Sequence, residues 1–347
     1  MRILITDSSS RYISRALSES FKELGHESMV IFDDRGFYLR GFHALTLSPF
    51  RNGARRLLSI CKRRTGAALE KAVSAFRPDA VLVIQGDYYE NSAISRIKDR
   101  FHIPIINWAV HDPVISEFFD PLRIEHFGSY SHILIADELW KPCVYFFDTP
   151  VSYMPLAGDP MVYRPLATEK DIDILFVGDF FPPSPHGTTG IVHARVLERI
   201  LRGGYRVQAL ARHRGAVLPF VPKLAKLSLI RGPRSPLALN ALYNRAKIVL
   251  NLFSLDFKYD APESLFSVAL SGAFQLAEYK KNIPLLFCES VICFGSLSEL
   301  ETKVSFYLHN AAAREHAAET ALSAAMRQHT YRIRSEAILK IISSHVK

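Results

Sequence analysis

Short apolar runs alternate along the chain with segments of helical periodicity. Residues 2–6 read as a strand, 12–24 as a helix closed by Gly25, and 28–32 as a second strand. Glycine just past the last periodic residue is a common helix stop, because it takes left-handed dihedrals without a Cβ clash. Residues 80–84 follow Arg77-Pro78-Asp79, residues 103–110 follow His102, and 133–136 and 151–156 complete this block. These runs are apolar almost throughout instead of alternating, the pattern of parallel strands covered on both faces.

Tyr163-Arg164-Pro165-Leu166-Ala167-Thr168-Glu169-Lys170 is polar and reads as a linker, after which the pattern restarts. Residues 172–177 form a strand, 191–201 a helix and 206–211 a strand, with further strands at 227–230, 248–252 and 274–277. From Asn310 onward the chain reads as helical: 311–326 is alanine-rich, and Ile338, Ile341 and Ile342 make an apolar stripe. Strands alternating with helices in two blocks imply an α/β chain of two doubly wound domains. Residues 216–222 (Ala-Val-Leu-Pro-Phe-Val-Pro) fit less well and are expected to be a loop or a contact surface.

A length of 347 residues suits two domains, and 48% hydrophobic with 22% charged residues is ordinary for globular chains. No apolar run approaches the roughly 18–20 residues of a membrane span, and residues 1–7 lack the apolar stretch and cleavage site of a signal peptide. The expectation is a cytoplasmic protein. Cys61, Cys143, Cys288 and Cys293 are scattered, without the spacing of a zinc or redox motif, and fit free thiols in a reducing compartment. The net charge of +9 suits an anionic partner. Without zinc-finger spacing or aromatic RNA-binding motifs, a nucleic acid ranks below a phosphate-bearing ligand or an anionic membrane. Residues 51–64 bear on the membrane: Arg51, Arg55, Arg56, Lys62, Arg63 and Arg64 occur without one acid, and Ala54, Leu57, Leu58 and Cys61 share a helical face. A basic amphipathic helix can lie on the inner face of an anionic membrane, or pack on its own domain with the charges solvated.

Open parallel sheets bind ligands beyond the carboxyl ends of their strands, and the predicted ends here are polar. They offer Asp7 and Ser8, Gln85-Gly86-Asp87 and His111-Asp112, then Gly178-Asp179, Arg212, Asn251 and Glu278. Two facing rows of this kind would line an interdomain cleft. Asp7-Ser8-Ser9-Ser10 stands where a dinucleotide fold carries Gly-x-Gly-x-x-Gly, and no Gly-Lys-Ser/Thr loop occurs, which argues against an NAD enzyme and a P-loop kinase. In Asn107-Trp108-Ala109-Val110-His111-Asp112-Pro113 a buried strand ends in an imidazole and a carboxylate, with Pro113 holding Asp112 extended. Either His111 or Asp112 could act as general base toward an acceptor hydroxyl; capping the next turn is the plainer role for Asp112.

In the second block, the strand end Phe176-Val177-Gly178-Asp179 carries a glycine that allows close backbone approach, and it is followed by a Phe180-to-Thr189 loop containing Gly187 and Thr188-Thr189. Arg195 and Arg212 are candidate diphosphate clamps, since a guanidinium binds phosphate through two N–H donors. Ala261-Pro262-Glu263-Ser264-Leu265 reads as a helix start whose amides at Ser264 and Leu265 could hold a diphosphate without a metal. Asp179, Asn251, Ser267, Gly272 and Glu278 complete the candidate nucleotide site. Asp171-Ile172-Asp173 precedes a strand and reads as a solvated strand start, so no obligatory metal is expected.

The order of these features resembles GT-B glycosyltransferases, in particular proteins similar to the spore maturation protein CgeB. The matching pieces are Phe21-Lys22-Glu23-Leu24-Gly25-His26-Glu27, Pro78-Asp79-Ala80-Val81-Leu82-Val83-Ile84, Trp108 through Pro113, and Leu156-Ala157-Gly158-Asp159-Pro160. They continue with Asp173-Ile174-Leu175-Phe176-Val177-Gly178, Ser271-Gly272-Ala273-Phe274-Gln275-Leu276 and Gln328-His329-Thr330-Tyr331 with Arg334. The resemblance implies two Rossmann-like domains facing a cleft: an acceptor domain over 1–162, a nucleotide-sugar domain over 171–325, and a final helix, 326–347, crossing back. It implies transfer of a sugar from a UDP-, GDP- or TDP-linked donor to a hydroxyl of a glycan, lipid or protein. One departure stands out. Related enzymes usually carry a ribose-binding glutamate, often with an arginine three residues earlier, where this chain has Ser267 and Ser264; Glu263 lies one helical turn before Ser267. The alternative is therefore a catalytically inactive glycan- or nucleotide-binding protein that retains the fold.

Overall fold

The computed structural model describes residues 1–7, 11–32, 51–86, 89–113, 127–145, 147–180, 189–232, 235–254 and 257–346, and at residues 51–59 and 91 the backbone only. Ser8, Ser9, Ser10, Asp87 and residues 181–188 thus lie outside the described residues, as do the side chains of Arg51, Arg55 and Arg56. The chain divides into two compact units, Met1–Pro155 with Tyr331–Lys347, and Leu156–Thr330.

In the first unit β1 (Arg2–Asp7), β2 (Glu27–Phe32), β3 (Ala80–Ile84), β4 (Ile105–Ala109), β5 (His132–Ile135) and β6 (Val151–Tyr153) form a parallel sheet ordered β2-β1-β3-β4-β5-β6. Every residue of β3 and β4 is buried, including the one polar side chain, Asn107, whose amide donates to Val83 O and Gln85 O at 3.3 and 3.1 Å. Helices α1 (Arg11–Glu23), α2 (Arg51–Phe76) and α3 (Asn91–Phe101) connect the strands. Helix α1 buries Ile13, Leu17 and Phe21, one face at helical spacing. It ends as the sequence predicts: Gly25 has φ +82°, its N–H reaches Lys22 O at 2.9 Å, and His26 N–H reaches Phe21 O at 2.9 Å. That pair of bonds satisfies two of the last helical carbonyls.

The second unit repeats the plan with β7 (Ile172–Asp179), β8 (Val207–Arg212), β9 (Ser228–Leu229), β10 (Ala246–Asn251), β11 (Gln275–Glu278) and β12 (Ile292–Phe294), parallel and ordered β12-β11-β10-β7-β8-β9. Its longer helices are α4 (Thr189–Arg202), α5 (Pro236–Arg245), α6 (Glu263–Leu270), α7 (Leu297–His309) and α8 (Ala311–Gln328). Phe176, Phe180, Leu197, Ile200, Ile248 and Leu276 belong to its core. Residues 163–170 are irregular but not loose. Asn240 and Asn244, one turn apart on α5, accept the N–H groups of Arg164 and Leu166 at 3.1 and 2.7 Å. Residues 216–222 correct an expectation: they run from a helical turn, Arg214–Val217, toward a 3-10 turn, Pro222–Lys226, and Val217 and Val221 are wholly buried. The prolines punctuate the turns, leaving Phe220 exposed.

The last helix, α9 (Tyr331–His345), belongs to the first unit. Tyr331 packs edge-on against Tyr12 and Trp108, with centroids 5.9 and 6.5 Å apart. Trp108 donates its indole N–H to Met154 O at 3.1 Å, and Arg334 donates Nε–H to Pro155 O at 2.7 Å. Just before α9, Gly158 N–H bonds His329 O at 3.0 Å. A Cβ at Gly158 would stand 2.5 Å from Leu270 Cδ1, which explains glycine there.

Candidate functional site

Strand order reverses between β7 and β10, where a doubly wound sheet opens a crevice at its carboxyl edge. Asp179, Arg212, Asn251 and Glu278 end four neighbouring strands on that edge. Asn251 Nδ2 donates to Gln275 Oε1 at 2.7 Å, and Gln275 Nε2 donates to Leu265 O at 3.1 Å. This buried amide relay ties β10 and β11 to the first turn of α6. Glu278 Oε2 accepts Phe253 N–H at 3.2 Å while its Oε1 accepts from Lys280 Nζ at 3.0 Å. Phe253 O accepts the Nε2–H of His193, on α4, at 3.1 Å. That bond sets the tautomer, leaving Nδ1 a buried acceptor with no hydrogen-bond partner among the described residues. Burial holds the His193 pKa below its usual value, so the ring is neutral at pH 7.

The start of α6 holds a second cluster. Ser267 Oγ donates to Glu263 Oε1 at 3.4 Å, and Tyr163 hydrogen-bonds Ser267. Burial raises the Glu263 carboxyl to about 8, with Asp159 pushing the same way and the Ser267 bond opposing. Burial, with Glu263 next, also raises the Tyr163 phenol. A carboxyl at a helix start normally favours its charged form; here desolvation wins, and the positive end of α6 has no anion of its own at neutral pH.

Not every residue named from sequence meets at this edge. Arg195 bonds Glu198 at 3.0 Å, and Arg202 holds the same carboxylate at 2.8 Å, so its guanidinium serves a pair along α4. Gly272, φ +65°, closes the far end of α6, where a Cβ would meet Pro165 Cγ at 3.0 Å. It lies roughly 12 Å of helix rise from Ser264. Gly178 has a packing reason: a Cβ would stand 2.4 Å from Phe176 Cζ, the ring two positions back on the same strand face. Ser264, Leu265 and Ser267 lie on α6, with Leu265 and Ser267 buried. His193 and Gln275 were missed. A lone histidine on a helix carries no spacing signal, but a glutamine opening the apolar run Gln275-Leu276-Ala277 was a readable hint.

At the carboxyl edge of the first unit, Gln85 takes a left-handed φ of +65° and turns Oε1 to the N–H groups of Val110 and His111, both at 2.9 Å. This positions the chain beyond β4, leaving His111 exposed and Asp112 buried. Gly86 suits its place, because it takes a left-handed φ of +87° and a Cβ would stand 2.8 Å from Tyr130 Oη and 3.0 Å from Asn107 Nδ2. Among the described residues no group of three or more His, Cys, Asp or Glu could hold a metal ion, and no helix is long and apolar enough to cross a membrane.

Residues 207–340 match a family model described as glycosyl transferase-like. No curated protein matches the sequence. Solved structures match along the whole length. Sucrose-phosphate synthase from Thermosynechococcus elongatus has a TM-score of 0.72 at 7% identity, over 99% of each chain. The UDP-forming alpha,alpha-trehalose-phosphate synthase from Burkholderia vietnamiensis has 0.65 at 9%, over 99% of each. Anabaena Alr3699/HepE, solved in complex with UDP-glucose, has 0.65 at 12%, over 99% of this chain and 100% of its own. The fold is GT-B, built from two parallel six-stranded sheets with flanking helices.

Proposed function

We propose that this protein transfers a sugar from a nucleoside diphosphate sugar to an acceptor hydroxyl, with the donor held by the second unit and the acceptor by the first. The observation that carries this reading is the carboxyl edge of the second sheet. There the amide relay from Asn251 through Gln275 fixes the first turn of α6, beside strand ends bearing Arg212 and Glu278. A helix start whose nearest carboxyl is neutral attracts a diphosphate through amide dipoles, and Arg212 adds a guanidinium. The UDP-glucose bound by the Anabaena relative supports a donor of that class. His111 or Asp112 takes the acceptor proton, on a turn held by Gln85. We place the chain with the CgeB-like proteins, acting without a metal, with residues 51–64 resting on an anionic membrane; the acceptor is a glycan, lipid or protein.

Ser264 and Ser267 favour a second reading, donor binding without turnover. One experiment separates the two. UDP, GDP, TDP and CMP are screened by thermal shift, and the sugar nucleotide of the best binder is followed for diphosphate release. A ligand of the folded state raises the melting point by mass action. Binding with slow release that Arg212→Gln abolishes supports the transferase; binding without release supports the second reading; no binding at millimolar concentration overturns both.

A further inference from the structure

Arg212 and Asp179 are register partners on adjacent parallel strands, both at the carboxyl edge. The guanidinium grips the carboxylate through two donors, Nη2 to Oδ2 at 2.7 Å and Nε to Oδ1 at 3.2 Å, and Arg212 N–H adds a third bond to Oδ1 at 3.2 Å. The partners differ in exposure: the Asp179 side chain is 10% accessible and that of Arg212 63%. The acid is fixed by the sheet, while the cation sits at the surface. The hydrogen bond to Asp179, and its charge, raise the Arg212 pKa further.

A carboxylate gripped by two guanidinium donors fills the geometry that two oxygens of a phosphate would take. A diphosphate approaching this edge therefore meets an arginine whose fork is already occupied and whose charge is already balanced. Lys280 is likewise matched to Glu278, and Arg195 to Glu198. We propose that Asp179 is an internal competitor for Arg212, setting the affinity of the donor site for diphosphates rather than contacting the donor. The inference rests on the donor reading above and assigns Asp179 a different part in it. The consequence falls on both ends of the reaction: the diphosphate is the group common to donor and released nucleotide, so a built-in anion weakens both and speeds product departure.

The test is calorimetric titration of UDP and GDP into wild type, Asp179→Asn, Asp179→Ser, Arg212→Gln and the double variant Asp179→Asn/Arg212→Gln, with circular dichroism confirming each fold. An exposed pair of this kind has modest strength, so removing the acid should tighten UDP or GDP about fivefold. Arg212→Gln should weaken binding, and adding Asp179→Asn to it should change nothing further. Wild-type binding that both Asp179 variants leave unchanged or weaker overturns the inference alone. So does an equal gain in the Arg212→Gln background, which would mean a general charge effect. No binding by any folded variant overturns the donor reading together with it.

Discussion

Replacing Glu263 by glutamine should make the protein more stable, by an amount that grows with pH. The carboxyl is raised from 4.5 to about 8, chiefly by burial. The folded protein thus binds this proton more tightly than the unfolded chain. Wild-type stability therefore falls as pH rises from about 4.5 through about 8, and levels off above that. The shift is about 3.5 units, from 4.5 to about 8, and at about 1.36 kcal/mol per unit a fully desolvated carboxyl would cost about 5 kcal/mol. For a unit of this size about 5 kcal/mol is about 15 °C in melting temperature. Scanning calorimetry of wild type and Glu263→Gln from pH 4 to pH 9 isolates the effect, since all other groups titrate in both. The two should melt together at pH 4 and separate by about 15 °C at pH 9, with the variant higher. A constant difference across that range, or one of opposite sign, would refute the reasoning.

Three further outcomes follow from contacts. Gly158→Ala places a methyl against Leu270 and the Phe266 backbone and should lower stability in urea by about 1–3 kcal/mol. Tyr331→Ala leaves a hole between Tyr12 and Trp108; it should cost about 3 kcal/mol and make residues 331–346 sensitive to limited proteolysis at protease levels that spare wild type. Asp112→Asn or His111→Ala should lower turnover of the identified donor about a hundredfold with its calorimetric Kd unchanged, because both lie in the first unit; a matching loss of donor affinity would remove them from the acceptor role.

The sheets were readable because a doubly covered parallel strand must be apolar at nearly every position. The stop at Gly25 was readable because only a few residue types accept its dihedrals. What lay beyond reach was the direction of side chains across elements. Arg195 reads as a phosphate ligand until helical spacing pairs it with Glu198. Gly178 reads as room for a ligand and Gly272 as part of the nucleotide site, yet the rings of Phe176 and Pro165 fill the space beside them. The prolines of residues 216–222 suggested an open loop because sequence shows where a turn breaks, not which face it buries. The relay from Asn251 to Leu265 joins residues from three elements and shows no local pattern.

The most direct test of the donor site is amide hydrogen exchange on the wild-type protein, with and without a saturating nucleoside diphosphate. Protection should concentrate at Asn251–Phe253, Glu263–Ser267 and the carboxyl ends of β7 and β8, with the first unit unchanged. Protection confined to the first unit, or none while the nucleotide is bound, would contradict the account.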